Sequence, residues 1–550
     1  MPGLRIALAQ VNPCVGDIAG NSAIVLSACR AAADAGADLV LLPEMVITGY
    51  PIEDLALRAS FQRAAAKAVD TVVASLAEQG LGHLTVVFGS LGTTAAPNQP
   101  DARPTNRAIV TTGGVITATY DKHHLPNYGV FDERRIFAPG SQPCVIEVNG
   151  VRVGVVICED IWQDGGPVAT MADHDIDLLA VLNGSPFEEG KGRIRTDLVR
   201  RRAAETGAAV AYVNLWGGQD DLVFDGHSFI VAEDGEWMAN AGGFEDALIV
   251  WDLDTEGSTE QGPVKDFASD EEQVYRACVT GLRDYVVKNG FRSIVLGVSG
   301  GIDSALTAAM AADAIGGDNV VGVAMPSTYS SQHSQDDAAD LCQRIGATYR
   351  VEPIASVVEA FQAQLGLTGV AEENLQARLR GVILMGISNA EGHLVIAPGN
   401  KSELATGYAT IYDAGSIGGF APLKDVDKSR VWELARWRNA DAAARGETPP
   451  IPENSITKPP SAELRPGQTD QDSLPPYELL DEVLDAYVEH AEGREELLAR
   501  GYDKAVVDRV LQLVDRAEWK RRQYPLGPKV TALAFGRDRR LPVTSRWREL

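Results

Sequence analysis

The sequence predicts an α/β protein of two domains, and three observations carry that expectation. Apolar runs of strand length alternate with amphipathic helical stretches, the pattern of sheets covered by helices. Residues 254–270 (DTEGSTEQGPVKDFASD) are polar and acidic, contain Gly and Pro and lack apolar periodicity, which marks a domain boundary. Residues 293–305 (SIVLGVSGGIDSA) join a strand to a helix through a glycine turn. The strand–helix alternation around them predicts a doubly wound parallel sheet in the second half. The expected domains are residues 1–255 and 271–550, with a linker over 256–270.

A chain of 550 residues is too long for one ordinary domain. The net charge of −27 argues against a nucleic-acid or anionic-membrane surface, while leaving room for a basic pocket that takes small anions. The six cysteines (14, 29, 144, 158, 278, 342) are scattered and form no CxxC pair, so a zinc site and a disulfide framework are not expected. The start, MPGLRIALAQV, goes straight into a strand pattern, and no run reaches the length of a membrane span. A reducing cytoplasm is the expected location.

In the first half, strands are expected over residues 4–11, 37–42, 84–91, 152–157, 177–182 and 208–214. Helices are expected over 21–35, 54–76 and 193–206. Residues 93–104 read as a surface loop, 107–120 as a hairpin turning at Gly113-Gly114, and 228–252 as further hairpin material. Glu44, Lys122 and Cys158 each fall at or just after the end of an apolar strand, where a sheet converges groups on one pocket. Their chemistry is complementary. A cysteine thiolate attacks an amide carbon, a glutamate takes and returns the proton, and a lysine cation stabilises an oxyanion.

The surroundings of these residues, LLPEM, YDKHHLP and GVVICEDIW, resemble the nitrilase (carbon–nitrogen hydrolase) superfamily. The resemblance implies an αββα sandwich over most of residues 1–255, with Glu44, Lys122 and Cys158 as its catalytic set. In the glutaminase branch it implies that Tyr128, Ser185 and Lys191 hold glutamine, with Glu133 a further carboxylate near Cys158.

In the second half, residues 271–288 read as an amphipathic helix, followed by the strand and the turn Ser299-Gly300-Gly301-Ile302-Asp303-Ser304. Strand, glycine turn and helix present backbone N–H groups and a helix N-terminus to phosphate. Gly300 and Gly301 can take positive φ. A carboxylate beside phosphate needs a cation between them, so Asp303 suggests a Mg²⁺ ligand. The loop lacks the lysine of a Walker A motif. A strand over 319–325 ends in a Ser/Thr-rich segment suited to an adenine nucleotide. Residues 374–387 read as a helix carrying Arg378 and Arg380. The Pro-rich stretch 448–476 suits a lid better than a disordered linker.

The SGGIDS pattern resembles the pyrophosphate loop of ATP pyrophosphatases. NLQARLRG, PGNKSELATGYATIYDAG, PLKDVDK and KPPSAELRPGQTDQDSLPPYELLD narrow the resemblance to the NAD⁺ synthetases in their glutamine-dependent form. That resemblance implies ATP contacts at Gly297, Val298, Ser299, Gly300, Gly301, Ile302, Asp303, Ser304, Pro398, Lys428 and Ser461. It implies deamido-NAD⁺ contacts at Asn374, Arg378, Glu403, Lys520 and Lys529, and Mg²⁺ on Asp303 and Glu403. The chain departs from the single-domain enzymes at PGNKSE, where they carry a Thr-containing segment, and at Ile411, where they carry Lys.

The implied activity is glutamine hydrolysis in the first domain. In the second, ATP-driven amidation of deamido-NAD⁺ follows through an adenylate. The expected partners are small molecules, with a homo-oligomer and neither nucleic acid nor membrane. Two alternatives stay open: another glutamine-dependent ATP-pyrophosphatase amidotransferase, and a nucleotide-sensing regulator with a degenerate glutaminase. The KPPSAELRPGQTDQDSLPPY segment favours NAD⁺ synthetase over the first, and the intact Glu44, Lys122 and Cys158 set argues against the second.

Overall fold

Strand β1 (Gly3–Gln10) sets the layering of the first unit in the computed structural model. Successive side chains of a strand point to opposite faces. Leu4, Ile6 and Leu8 therefore join one apolar cluster, with Val153 and Val155, while Ala7 and Ala9 join another. The second cluster contains Val25 and Cys29 of helix Ile18–Asp34 and Val69, Val72 and Leu76 of helix Ala59–Glu78. The chain divides into two units, Met1–Gln219 with Val223–Ala268, and Ser269–Leu550 with Asp220–Leu222. The structure describes residues 3–95, 99, 102–254 and 260–549. Residues 256–259 of the expected linker and 96–98, 100 and 101 of the expected loop lie outside the described residues.

The remaining strands of the first unit are β2 (Leu39–Leu41), β3 (Thr85–Thr93), β4 (Pro104–Thr112), β5 (Val115–Asp121), β6 (Val145–Val148), β7 (Val151–Ile157), β8 (Leu178–Asn183), β9 (Ala209–Asn214), β10 (Trp216–Gln219), β11 (Leu222–Asp225), β12 (Phe229–Val231), β13 (Trp237–Asn240) and β14 (Ala247–Asp254). They form two six-stranded sheets, β14-β1-β2-β3-β4-β5 and β13-β12-β9-β8-β7-β6, and a ribbon β10-β11. Leu198, Val199 and Ala203 of helix Lys191–Thr206 pack on the second sheet. Helix, sheet, sheet, helix is the αββα sandwich the resemblance implied.

Three local features depart from expectation. The stretch read as one helix from 54 starts as the 3-10 turn Glu53–Leu57. Arg58 is extended, so the α-helix begins only at Ala59. The hairpin material over 228–252 splits: β12 pairs with β13, while β14 crosses to lie antiparallel to β1 in the other sheet. Strand β6 is absent from the expectation; it is a short, partly exposed edge of four residues, VIEV, too brief for a periodic signal. The hairpin at Gly113 and Gly114 forms as expected, with both at positive φ.

In the second unit, β15 (Ile294–Gly297), β16 (Val320–Ala324), β17 (Thr348–Val351) and β18 (Leu394–Val395) form a parallel sheet in the order β17-β16-β15-β18. The chain steps outward from β15 to β17, then returns to place β18 on the other side of β15. The switch point of such a sheet opens a crevice at the strand C-termini. Residues 298–304 leave β15 there and residues 396–403 leave β18. Helices Asp270–Lys288, Ile302–Ile315, Gln332–Arg344, Val370–Glu391 and Lys428–Ala444 accompany the sheet. Helix Ala355–Leu365, absent from the expectation, presents only Val358 to the core. No helix among the described residues is long and apolar enough to cross a membrane.

Candidate active site

Two constellations of polar residues form, one in each unit. In the first, Glu44 and Lys122 are fully buried. Glu44 Oε1 accepts from Lys122 Nζ at 2.8 Å and from Asn106 Nδ2 at 2.6 Å, while its Oε2 accepts from Gly184 N at 2.7 Å. Lys122 Nζ also donates to Glu133 Oε1 at 3.0 Å, and Tyr50 Oη donates to the same oxygen at 2.8 Å. A buried charge is tolerated only when paired in this way. Burial opposes the Lys122 charge, but Glu133 and Glu44 outweigh it and hold the ammonium well above the usual lysine pKa. Burial pushes Glu133 up to about 7, against the pull of Lys122.

Cys158 follows β7 and opens the 3-10 turn Cys158–Ile161 with φ +45°, a left-handed conformation that costs a non-glycine residue on the order of 1–3 kcal/mol. Asp160 secures that turn. Its fully buried carboxylate accepts from Ile157 N at 3.0 Å, Tyr120 Oη at 2.7 Å, His123 N at 3.1 Å and His124 N at 2.8 Å. One carboxylate thus ties the segment carrying Lys122 to the segment carrying Cys158. Burial, reinforced by Glu44, pushes the Cys158 thiol well above its usual pKa, with Lys122 pulling the other way. The resting thiol is therefore neutral, and attack on a carbonyl carbon calls for a base that removes its proton.

Of the residues expected to hold glutamine, Tyr128 donates through Oη to Glu159 Oε2 at 2.8 Å. Ser185 is buried, with its amide bound to Asn214 Oδ1 at 2.9 Å, and Lys191 Nζ lies 5.9 Å from the centroid of the Trp162 ring. Asn106, Asp160 and Gly184 were not singled out from the sequence. Asp160 sits two residues beyond Cys158, a proximity that was a usable signal. Gly184 is legible only in space. A Cβ there would stand 2.8 Å from Tyr50 Cδ1 and 3.1 Å from Glu44 Oε2, so its lack of a side chain admits the close approach.

In the second unit, the crevice between β15 and β18 encloses a cavity of about 310 Å³. The pyrophosphate-type loop lines one wall. Ser299 Oγ accepts from Gly301 N at 3.2 Å and meets Ser304 Oγ at 3.1 Å. Gly300 takes φ +75°, and a Cβ on it would stand 2.3 Å from Ser334 O. Gly301 does not share the positive φ allowed for it. It is extended at φ −83° and caps helix Ile302–Ile315, because only one left-handed residue is needed to turn the strand into the helix.

Asp303 Oδ2 accepts from Lys428 Nζ at 2.5 Å, Asp303 Oδ1 accepts from Asn400 Nδ2 at 2.8 Å, and Glu403 Oε1 lies 3.5 Å from the same Nζ. Burial opposes the Lys428 charge, but Asp303 and then Glu403 outweigh it. Burial and the neighbouring Asp303 push Glu403 up to about 8. The two carboxylates converge on one cation, and hard oxygen donors of this kind suit Mg²⁺. No group of three or more His, Cys, Asp or Glu is arranged to hold a metal among the described residues.

Of the other expected ATP contacts, Gly297, Val298, Ile302, Pro398 and Ser461 line the cavity. The Pro-rich stretch is ordered over it: Lys458 to Glu463 form part of its wall. Glu463 accepts from Ser334 Oγ at 2.7 Å, and Ser455 Oγ donates to Gly300 O at 3.0 Å. Arg380 and Asp470 also line this cavity. Burial brings Arg380 down to about 10.

The expected dinucleotide contacts separate. Asn374 Oδ1 accepts from Thr410 Oγ1 at 2.6 Å, and Arg378 Nε donates to Ile411 O at 3.1 Å, so both brace the segment after helix Lys401–Thr406. Lys520 borders a smaller cavity of about 20 Å³ that shares Glu403 with the larger one, and its Nζ donates to Gly407 O and Ala409 O. Lys529 lines neither cavity. Its ammonium is bound to Thr531 O, Ala532 O and Asp538.

An αββα sandwich followed by a doubly wound parallel-sheet domain, each with its own buried polar constellation, defines the class: a two-domain α/β enzyme. The carbon–nitrogen hydrolase family profile matches residues 5–261 and the NAD synthase profile residues 274–524. The chain is 43% identical to the glutamine-dependent NAD(+) synthetase of Acinetobacter baylyi, over 100% of this chain and 99% of that one. It is 42% identical to the enzyme of the same name from Thermotoga maritima, over the full length of both. A solved glutamine-dependent NAD⁺ synthetase from Acinetobacter baumannii, in complex with ADP, superposes with TM-score 0.78 at 40% identity and full coverage of both chains. A second, from Cytophaga hutchinsonii, has the same fold with TM-score 0.83 at 23% identity, over 99% of this chain and 98% of that one. This chain belongs to the glutamine-dependent NAD(+) synthetase family.

Proposed function

We propose that the first unit hydrolyses glutamine and that the second uses ATP and the released ammonia to convert deamido-NAD⁺ to NAD⁺. The observation that carries the first half is the buried Glu44–Lys122 pair beside a neutral Cys158 thiol. Glu44 takes the Cys158 proton as sulfur bonds to the carboxamide carbon. The Lys122 ammonium offsets the charge developing on the carbonyl oxygen. Glu44 returns the proton to the departing nitrogen, so ammonia leaves and a thioester remains. Water, deprotonated by Glu44, then releases glutamate and restores the thiol.

In the second unit, Gly297 to Ser304 with Lys428, Pro398 and Ser461 hold ATP. The carboxylate of deamido-NAD⁺ attacks the α-phosphorus, pyrophosphate departs, and ammonia displaces AMP from the adenylate. Asp303 and Glu403 would hold Mg²⁺, which supplies charge neutralisation for the phosphates when bound. Lys428 contributes a fixed positive charge beside those carboxylates. Glu403 and Lys520 line the smaller cavity, the side proposed for the dinucleotide; Asn374 and Arg378 support its wall through Thr410 and Ile411, and Lys529 serves it only indirectly. The Pro-rich stretch acts as a lid that excludes water from the adenylate.

The test is incubation with ATP, Mg²⁺, glutamine and deamido-NAD⁺. AMP, pyrophosphate, glutamate and NAD⁺ are expected together; absence of NAD⁺ while AMP accumulates would remove the assigned acceptor.

A further inference from the structure

Helix Lys428–Ala444 delivers Lys428 to the nucleotide cavity, yet its N-terminus is not capped from its own sequence. Asp427, the residue before it, makes no capping bond through its side chain. The first amides of a helix have no partner within it, and buried donors need one. Here the partners come from two other elements. Lys428 N donates to Ser402 Oγ at 2.9 Å, and Ser429 N donates to Asp481 Oδ2 at 2.8 Å. Ser402 Oγ gives its own proton to Asp481 Oδ1 at 2.5 Å. Ser402, Lys428 and Asp481 are all buried.

Asp481 therefore stands where three helices meet. Ser402 belongs to the PGNKSE segment and directly precedes Glu403. Its helix, Lys401–Thr406, has six residues, too few to keep its direction without tertiary anchors. Asp481 belongs to helix Tyr477–Leu484. Tyr477, four residues earlier and so on the same face, places its ring centroid 5.3 Å from Lys428 Nζ, within cation–π range. One helix thus holds Lys428 at both ends, the backbone through Asp481 and Ser402 and the ammonium through Tyr477. A lysine carries its charge on a flexible stem, so its backbone anchor decides where the charge goes. It goes to the cavity wall, hydrogen-bonded to Asp303 Oδ2 and 3.5 Å from Glu403 Oε1. Neither Asp481 nor Ser402 lines the cavity, so neither meets a nucleotide bound there.

We propose that Asp481 is a positioning residue for the nucleotide site: through Ser402 and the first amides of helix Lys428–Ala444 it holds the Lys428 ammonium where the phosphates of the nucleotide bind. The proposal rests on the reading of the second unit as an ATP site. Asp481 acts on the phosphate end of the ligand and leaves the nucleoside end alone.

Calorimetric titration of ATP and of adenosine into the full chain tests it, with the parent, Asp481→Asn, Ser402→Ala, Lys428→Gln and the double variant Asp481→Asn with Lys428→Gln. Asparagine keeps the shape of Asp481 but has one oxygen for two donors. ATP is expected to bind about tenfold more weakly to Asp481→Asn, and Ser402→Ala should weaken it in the same direction. Adenosine affinity should stay within about twofold of the parent in both, which also shows that the second unit folds. The double variant should bind ATP within about twofold of Lys428→Gln alone, because Asp481 acts through Lys428. The proposal is overturned by an unchanged ATP affinity, by equal losses for ATP and adenosine, or by effects that multiply in full in the double variant. If Asp481→Asn does not fold, Ser402→Ala, alone and combined with Lys428→Gln, is held to the same outcomes. A parent chain that binds adenosine but gains nothing from the phosphates of ATP overturns instead the reading of the second unit as an ATP site.

Discussion

Glu44 and Lys122 form an ion pair in which neither side chain is exposed, with Oε1 and Nζ 2.8 Å apart. They stand 78 residues apart in the chain, and each sits at the end of a different strand region of the same sheet. The pair is chemically poised as well as structural. The Lys122 ammonium that pairs with Glu44 is itself shared with Glu133.

Removing that cation leaves two buried carboxylates without a counter-charge. Lys122→Met is expected to destabilise the first unit by about 3–5 kcal/mol. It should also abolish glutamine hydrolysis. Urea unfolding followed by a probe in the first unit checks this, and a variant as stable as the parent would show that the pair carries little of the local structure.

Cys158→Ala is expected to eliminate glutamine-dependent NAD⁺ formation while activity with added ammonium persists. Residual glutamine use at the parent rate would exclude Cys158 as the nucleophile. The measurement is glutamate release alongside NAD⁺ formation under both nitrogen sources.

Gly300→Ala places a Cβ 2.3 Å from Ser334 O at a residue with φ +75°, so the loop backbone must move. ATP-dependent activity is expected to fall by about a hundredfold, the scale of displacement by about 1 Å at a positioned reacting group. Asp303→Ala should lose AMP formation to a similar degree. Nucleotide binding by calorimetry, with and without Mg²⁺, separates loss of the loop from loss of the carboxylate.

Asp160 supplies a pH signature. Burial raises its pKa from 3.8 to about 6 in the folded chain, although its hydrogen bonds oppose the shift. A raised carboxylate pKa means that the folded state holds the proton more tightly than the unfolded one. Its contribution to stability is therefore fully present below about pH 4 and is lost as pH rises through about 6. Asp160→Asn removes that titration. The parent should lose on the order of 3 kcal/mol more than the variant between pH 4 and 8. Unfolding free energies at several pH values give the difference directly, and parallel curves for the two proteins would rule out a shifted Asp160.

Much of the local organisation was legible in residue order. Apolar runs of strand length located strands such as the one over residues 4–11, and the glycine turn after Ile294–Gly297 announced a phosphate-type loop at a strand end. Glu44, Lys122 and Cys158 stood out because each follows an apolar run, and local periodicity and strand ends are properties of neighbouring residues. Tertiary structure alone decided the rest. Gly184 meets Glu44 across 140 residues, Asp160 binds the His123 and His124 amides across 37 and 36, and Lys428 reaches Asp303 across 125. No local pattern encodes such encounters, since chain closure over those distances depends on how whole sheets pack. Burial was equally invisible in the sequence. It turns Cys158 into a neutral thiol, lifts Glu133 and Glu403 toward neutrality, and ties Lys529 to backbone carbonyls and Asp538, because the charge a group can keep is set by the water and partners that folding leaves around it.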